Sequence, residues 1–345
     1  MRLGLTFDDV LLVPKKTVLS SRSEADLRTY FTKNLPLSLP LVSSNMATVT
    51  EHSMAIALAR VGGLGIIHQF NTIEEQVEEV KTVKRSFENA LVGAALGVKD
   101  TMERAAALRD AGVDVLVLDV AHAHSDHVIK RLQELKSRYS IDVMVGNITT
   151  AEAAEELIAA GADGLKVGIG PSAVCTTRLM SGAGVPQLTA IMDVYSVAQK
   201  YNIPIAADGG MKHPGDATKA LAAGASTIYS GSFFAGTDEA PGEIILKEGK
   251  KYKLYKGSAS YESQLERRDR MNTDNKNVYV EGVSILVDYK GPVANVISSL
   301  VKGIQSGISY GGGRNIQELQ EKAEFRQITT NGVIESGSRG KKMTE

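Results

Sequence analysis

The sequence has no tryptophan and a single cysteine, and only 5% of its 345 residues are aromatic. One cysteine rules out a disulfide within the chain and predicts that the protein works in a reducing compartment. An excess of one charge is also missing, since 39 Lys and Arg face 40 Asp and Glu. This balance gives no support for binding to nucleic acid or to a membrane surface.

Long hydrophobic runs are absent too, because none approaches the ~20 residues that a membrane helix needs. The first residues, MRLGLTFDDVLLVP, place two acids close behind a short apolar stretch, which is unlike a signal peptide. We therefore expect a soluble, cytoplasmic protein with no membrane partner. A hydrophobic content of 43% suits one large domain or two smaller ones, and 33 glycines suit a fold with many tight loops.

Short apolar runs recur along the chain without polar alternation, as expected for strands buried on both faces. The predicted strands are 40–46, 64–69, 91–97, 113–121, 142–148, 164–170, 203–209 and 227–233. The predicted helices are 74–85, 101–111, 125–138, 151–160, 187–200, 214–223 and, last, 292–306. Eight strands alternating with helices over roughly 270 residues predict an α/β fold, a single-domain TIM (β/α)8 barrel. A doubly wound open sheet is the alternative, but no G-x-G-x-x-G follows the first strand.

A barrel places its chemistry in the loops after its strands. Those loops carry Asn45, Met46, His68, Asp119, His122, Asn147, Cys175, Asp208 and Gly231. The stretch 250–291 is polar and long for a barrel loop. We predict that about 257–291 is a mobile active-site flap inserted after the eighth strand. The polar tail, 323–345, is predicted to be partly disordered.

The stretch GLKVGIGPSAVCTTR, residues 164–178, predicts a strand that feeds a glycine-rich loop. Cys175 in that loop is a candidate nucleophile. The alternative is a buried structural cysteine, but its place at the end of a strand favours the nucleophile. In extended backbone, Thr177 would face the same cavity, and a hydroxyl held by a carboxylate can relay a proton. Glu281 of the flap offers that carboxylate, although a solvated loop charge is the simpler interpretation.

Two further groups of residues suggest a nucleotide monophosphate. Asp208 can accept hydrogen bonds from both hydroxyls of a ribose, or it can cap the next helix. Ser230-Gly231-Ser232 ends the eighth strand, and small residues with free amides after strands seven and eight form the usual phosphate site of this fold. Gly210 belongs to the same group.

The histidines predict no metal centre. His122 and His124 would share one face of a strand, which suggests a metal, but no third ligand has a suitable spacing. His68 and His213 stand alone, and single histidines are more often structural.

The loop around Cys175 resembles the catalytic loop of the IMP dehydrogenase/GMP reductase family, usually GIGPGSxCTTR. The resemblance covers nearly the whole chain. It includes LTFDDVLLVP near the start, VGGLGIIH ending at His68, GAGVPQ at 182–187, ADGG at 207–210 and SFFAGTDEAPGE at 232–243. It implies a (β/α)8 barrel that binds a purine nucleoside monophosphate and forms a thioimidate between the cysteine and purine C2.

The resemblance also implies the roles of individual residues. The implied catalytic residues are Cys175, Thr177 and Glu281. The implied substrate-binding residues are Asn45, Met46, Asp208, Gly210, Gly231, Ser232, Tyr255, Gly257, Ser258, Ala259, Ser260 and Gly282. The nicotinamide of NADPH, or of NAD in a dehydrogenase, would lie near Asp119, Asn147 and Gly168. The backbone carbonyls of Gly168, Gly170, Ser172 and Cys175 would hold a potassium ion, and the assembly would be a homotetramer.

Within the family, the sequence favours the reductase branch. The regulatory domain of most IMP dehydrogenases is absent, and the Arg-Tyr pair that activates water in their flap is Arg270-Met271 here. SRSEADL at 21–27, Asn45-Met46, 257–260 and ISYGGGR at 308–314 also resemble reductases. VTEHSMAIALARVGGLGIIH and the tail ITTNGVIESG resemble dehydrogenases, which remain the alternative.

The sequence departs from the family pattern just before the cysteine. Ser172-Ala173 replaces the family's Gly-Ser, which removes a hydroxyl that helps to hold the phosphate and a glycine from the cation loop. A non-catalytic purine-nucleotide sensor on a barrel scaffold is the alternative from another class.

Overall fold

Eight parallel strands close into a barrel in the computed structural model, which describes residues 1–271 and 279–337, with the backbone alone for 267–271. Each strand pairs with the next along the chain, and the eighth pairs with the first. The barrel strands are β1 (Leu41–Ser43), β2 (Leu64–Ile67), β3 (Gly93–Leu96), β4 (Val115–Asp119), β5 (Asp142–Ile148), β6 (Gly164–Val167), β7 (Ile205–Asp208) and β8 (Thr227–Ser230). The predicted TIM barrel is confirmed.

Helices cover the outside of the barrel. They are α1 (His52–Arg60), α2 (Ile73–Ser86), α3 (Thr101–Asp110), α4 (Asp126–Arg138), α5 (Ala151–Ala159), α6 (Gln187–Ala198), α7 (Pro214–Ala222) and α8 (Val293–Tyr310). Thr150 accepts a hydrogen bond from the amide of Ala153 and so begins α5, as its sequence predicts. The sequence analysis did not identify α1, which packs on β2 through Ala55. None of the helices in the described ranges is long and apolar enough to cross a membrane.

The inside of the barrel is filled with side chains and is closed at its amino-terminal end by a hairpin. This hairpin pairs Thr29–Thr32 with Leu35–Leu37. Its Phe31 stacks on Tyr229 of β8, with ring centroids 6.5 Å apart. The apolar cluster around them includes Val42, Leu64, Ile66, Ala95, Val115, Val117, Met144 and Ala206. Tyr229 therefore runs from this apolar layer towards the carboxyl ends of the strands.

The segment after β8 is more regular than the long loop that its sequence predicts. Strands Ile245–Lys247, Lys250–Lys256 and Ser284–Asp288 form an antiparallel sheet, and a helix spans Tyr261–Met271. The hydrophobic pattern does not predict strand Lys250–Lys256, because its buried side chains are Lys253 and Tyr255. The ammonium of Lys253 donates to the carbonyls of Thr237 and Ala240, which explains how a lysine can be buried.

The tail returns to the start of the chain. Strand Phe325–Gln327 pairs with Val10–Leu12, and a helix spans Thr330–Glu335. The partial disorder predicted for 323–345 stays a prediction. Residues after 337 lie outside the described part. The remaining short elements are the helices Thr177–Ser181 and Ile316–Lys322 and the 3-10 turns Phe7–Asp9, Arg22–Glu24 and Gln199–Tyr201.

Gly65 of β2 tests how closely α1 packs on the barrel. A Cβ at Gly65 would lie 2.5 Å from the Cα of Ala55, so the backbones would have to separate. We expect Gly65→Ala to lower the free energy of unfolding by about 1–3 kcal/mol, as overpacking does. Gly215 of α7 has open space around it, so Gly215→Ala should be neutral or stabilising. Equal urea midpoints for the two variants would contradict this account.

Candidate active site

A cavity of about 1030 Å³ lies at the carboxyl ends of the barrel strands. The predicted site residues that line it are Asn45, Met46, Asp119, Asn147, Gly168, Gly170, Ser172, Cys175, Thr177, Asp208, Gly210, Gly231, Ser232, Tyr255, Gly257, Ser258, Ala259 and Glu281. Ser260 and Gly282 do not line it. Ser260 is buried with its hydroxyl donating to Ser263, and Gly282 pairs with the backbones of Cys175 and Ser260.

Cys175 lies half-buried on the loop after β6. Gly168 and Gly170 of this loop have φ of 145° and 78°, values that glycine adopts readily. Arg178 closes the loop, because its guanidinium donates to the carbonyls of Ile169 (2.9 Å) and Val185 (2.6 Å). The thiol is therefore held on a braced turn that opens into the cavity.

The thiol, a hydroxyl and a carboxylate form a continuous chain. Cys175 Sγ lies 3.3 Å from Thr177 Oγ1, which donates to Glu281 Oε2 at 2.8 Å. The sequence predicts extended backbone from Cys175 to Thr177, but Thr177 already begins a short helix. The two side chains meet because the chain turns at Thr176. This geometry allows a proton to pass between the thiol and the carboxylate through one hydroxyl.

Backbone hydrogen bonds hold Glu281 in this position. The amide of Thr176 donates to the carbonyl of Glu281 at 2.7 Å, and the amide of Val283 donates to the carbonyl of Val174 at 3.0 Å. The amide of Glu281 donates to the carbonyl of Ala259 at 3.1 Å. The returning part of the flap thus pairs with the cysteine loop, which the simpler interpretation of Glu281 as a solvated charge does not explain.

Lys166 is the central charged group of the site, and the sequence analysis missed it. Its ammonium lies 2.7 Å from Asp119 Oδ1 and 2.8 Å from Asp208 Oδ2, with only 3% of its side chain exposed. Burial alone lowers the pKa of Lys166, but the charges of the two aspartates outweigh burial and raise it above its usual value. One charged residue among the apolar residues of β6 was the signal that could have identified it.

Hydrogen bonds extend this network to both predicted binding regions. Asn147 donates to Asp208 Oδ2 at 2.9 Å, and Asn45 donates to Asp119 Oδ2 at 2.9 Å. Tyr229 donates to Asn45 Oδ1 at 2.6 Å. Burial, and then the neighbouring aspartates, raise the pKa of Tyr229 well above its usual value, so its hydroxyl remains a donor.

Asp208 does not cap the next helix. That helix, α7, begins at Pro214, and Asp216 accepts from the amides of Lys212 and His213. Asp208 lines the cavity, and its Oδ1 has no hydrogen-bonding partner within the described residues. A free carboxylate oxygen there suits a ribose hydroxyl.

A corner built of small residues lies beside Asp208. A Cβ on Gly231 would lie 2.4 Å from Tyr255 Oη and 2.9 Å from Ser44 Oγ, so only glycine fits. The Ser44 hydroxyl is buried and makes no hydrogen bond in the described ranges. Burial raises the pKa of Tyr255, which keeps its phenol protonated as a donor. The amides of Gly231 and Ser232 donate to no atom of the described residues. Together with the hydroxyls of Ser44 and Tyr255, they suit a phosphate group.

A second arm of the cavity lies beyond Asp119. Its lining residues, which the sequence analysis did not identify, are Gln69, Phe70, Gly97, Val98, Lys99, Val120 and Ala121. Gln69 donates to the carbonyl of Asp119 at 3.2 Å, while its own Oε1 is buried without a partner among the described residues. A buried acceptor without a partner thus lies within a mostly apolar part of the lining.

Three of the histidines lie apart from one another and have different surroundings. His124 pairs with Glu156 at 3.3 Å, His68 is buried against Glu51, and His213 precedes α7. No cluster of three or more His, Cys, Asp or Glu suited to a metal ion occurs in the part of the chain that the structure describes.

Comparison with known proteins gives consistent matches over the full chain. A family model described as the IMP dehydrogenase / GMP reductase domain matches residues 4–339. The inosine-5′-monophosphate dehydrogenase of Cryptosporidium parvum is 44% identical, over 96% of this chain and 94% of that protein. A GMP reductase of Leishmania donovani is 36% identical, over 97% and 96%. A crystal structure of a cysteine-to-alanine variant of Trypanosoma brucei GMP reductase in complex with guanosine 5′-monophosphate has a TM-score of 0.95 and 34% identity, over 99% of both chains.

The lengths of these alignments correct one argument from the sequence. The alignment with the Leishmania reductase is 474 positions long, so that reductase carries a long segment that this chain of 345 residues lacks. The alignment with the Cryptosporidium dehydrogenase is only 378 positions long and covers almost all of that protein. The absence of an inserted domain therefore does not distinguish reductases from dehydrogenases.

Lys166 provides a test of the charged network. Lys166→Met would leave two carboxylates together without their cation, so we expect a loss of about 3–5 kcal/mol in the free energy of unfolding. Lys212→Met is the control, since Lys212 lines the same cavity but is 64% exposed in its pair with Asp8 and should contribute about 0–1 kcal/mol. Denaturant titration would measure both variants, and similar losses would argue against a central role for Lys166.

Proposed function

The chain belongs to the IMP dehydrogenase/GMP reductase family of purine-nucleotide oxidoreductases, as its motifs indicate, and on that premise we propose that it is a GMP reductase. It converts GMP to IMP and ammonia with NADPH, through a covalent thioimidate on Cys175. The observation that carries the proposal is the chain of contacts from Cys175 through Thr177 to Glu281.

The reaction uses this chain to move one proton twice. The thiol of Cys175 loses its proton through the Thr177 hydroxyl to the Glu281 carboxylate, and the thiolate adds to C2 of the guanine base. Glu281 then returns the proton, again through Thr177, to the amino group that leaves C2 as ammonia. The thioimidate remains. After C2 receives a hydride, the C–S bond breaks with its electron pair on sulfur and IMP leaves. The thiolate then takes up a proton from solvent, which restores the thiol.

The residues beside Cys175 fit a nicotinamide cofactor. The cavity is at the upper end of the ~300–1,000 Å³ usual for ligand pockets, which leaves room for a second ligand beside a mononucleotide. Gln69, Asp119, Asn147 and Gly168 line the same cavity as Cys175. When bound, NADPH supplies the hydride that C2 receives.

A potassium ion stays a prediction and has no part in this mechanism. The carbonyl of Gly168 already accepts from Asn147, and that of Ser172 accepts from the amide of Cys175 at 3.1 Å. The side chain of Arg178 also packs against Gly170. We therefore derive no step from a cation on these carbonyls.

IMP dehydrogenase is the second candidate, favoured by the 44% identity to the Cryptosporidium dehydrogenase. A dehydrogenase must activate water to hydrolyse the thioimidate. Arg270-Met271 replaces the Arg-Tyr pair in the sequence, and a thioether cannot act as that base. The side chains of these two residues lie outside the described part of the chain.

Absorbance at 340 nm decides between the candidates. A reductase consumes NADPH when GMP is added, whereas a dehydrogenase forms NADH from NAD when IMP is added. We expect the first result, with ammonia released in equal amount. NADH formation with IMP would overturn the proposal, and no change with either substrate would favour a nucleotide sensor.

The homotetramer also stays a prediction, supported by apolar side chains that the single chain leaves exposed. Leu179 and Met180, just after the cysteine loop, and Leu246 are examples. Light scattering on the purified protein would measure the number of copies.

Cys175→Ala should abolish turnover while leaving the Kd for GMP within a fewfold of its original value. The thiol forms the covalent bond, whereas binding depends on the phosphate and ribose contacts. Steady-state rates and calorimetric titration would measure the two effects. Turnover above a few per cent of the original rate would exclude Cys175 as the nucleophile.

Glu281→Gln should lower kcat for GMP reduction about 10²-fold with a smaller change in KM. Glutamine preserves the shape of the side chain and a hydrogen bond to Thr177 but cannot take up the proton. Glu243→Gln, at an exposed position before strand Ile245–Lys247, is the matched control and should leave kcat unchanged. An equal fall in both variants, or a change confined to KM, would remove Glu281 from the proton relay.

A further inference from the structure

Lys290 also lines the cavity, although it is not among the predicted site residues. It follows strand Ser284–Asp288 and precedes α8. Its amide donates to the carbonyl of Gly236 at 2.8 Å, and the amide of Asp238 donates to the carbonyl of Gly291 at 3.0 Å. These bonds fasten the backbone around Lys290 to the loop that follows β8.

The side chain of Lys290 reaches from there to the corner around Ser44, Gly231 and Tyr255, which is called the phosphate corner below. Its ammonium donates to the carbonyls of Ser232 (2.6 Å) and Phe233 (3.1 Å), and the residue lines the cavity. Residues 231–235 form a turn in which the amides of Phe234 and Ala235 both donate to the carbonyl of Gly231. Lys290 therefore binds the carbonyl side of this turn.

The amide side of the same turn faces the other way. The amides of Gly231 and Ser232 donate to no atom of the described residues, which leaves them for a ligand. Peptide dipoles in a turn point from carbonyl to amide, so a cation on the carbonyls and an anion at the amides stabilise the same arrangement. Both ends of the turn are then satisfied when a phosphate is bound.

We propose that Lys290 is a positioning residue for the substrate phosphate, because its ammonium fixes the turn that presents the Gly231 and Ser232 amides. The proposal rests on the proposed phosphate corner, and it holds for GMP and IMP alike. It is therefore independent of whether the enzyme is a reductase or a dehydrogenase.

The charge state of Lys290 gives this proposal a pH dependence. Burial lowers the pKa of Lys290 to about 8, and the charge of Asp288 offsets burial only in part. The other titratable groups on the flanking segments are Asp238, Glu239, Lys251, Lys253 and Tyr289. Lys212 and Cys175 line the same cavity as Lys290. A bound phosphate dianion favours the ammonium and raises this pKa. Binding therefore takes up a proton near pH 8, and affinity falls as the pH rises above that value.

Calorimetric titration of GMP and IMP without cofactor tests the proposal. Repeating it at pH 8 in buffers of different ionisation enthalpy gives the protons taken up, which should be about half of one in the original protein. Lys290→Gln should weaken both nucleotides about tenfold and abolish the uptake. Lys290→Arg keeps the charge and the donors but does not titrate near pH 8, so it should retain affinity and lose the uptake.

Two controls separate this role from a general effect. Lys302→Gln, at an exposed position on α8, should leave both measurements unchanged. Guanosine lacks the phosphate, so its binding should give the same proton uptake in the original protein and in both Lys290 variants. The proposal is overturned if Lys290→Gln binds GMP with unchanged Kd, or if proton uptake persists in both Lys290 variants. Loss of nucleotide binding in Lys290→Arg with an unchanged melting temperature would also overturn it.

Discussion

The ammonium of Lys166 between Asp119 and Asp208 is the interaction on which the rest of the site depends. It lies where the apolar filling of the barrel gives way to the cavity, so each carboxylate would be poorly solvated without it. The ammonium gives both carboxylates a cationic partner at the edge of the cavity. Asn45 and Asn147 then have fixed acceptors, and the polar side chains that line the cavity share one framework.

This framework also joins the active site to the opposite end of the barrel. Tyr229 donates to Asn45 above and stacks on Phe31 of the closing hairpin below. The hairpin thus supports the network through a single aromatic side chain. Chemistry at the carboxyl ends and closure at the amino-terminal end are parts of one packed column, as the layered interior of such barrels requires.

The barrel could be predicted from sequence because strands buried on both faces leave a clear apolar pattern, as in 113–121 and 203–209. The pairing of Cys175 with Thr177 could be anticipated from their spacing, although the helix that begins at Thr177 could not. Lys166 was visible as one charge in an apolar strand but was read only as part of the strand. The sheet after β8 was hidden because Lys253 faces inward and bonds to carbonyls, which no hydrophobic pattern reveals.

The phosphate corner depends less on the identity of its side chains than the rest of the site does. Apart from Ser44 and Tyr255, its donors are backbone amides, so what must be preserved is the path of the main chain. Exchanges such as Ser172-Ala173 for the family's Gly-Ser can therefore accumulate around this corner while the anion site persists. The proposed ribose and base contacts, which depend on particular side chains, lack that freedom. Drift among related chains would consequently alter which base they accept sooner than whether they accept a nucleotide at all.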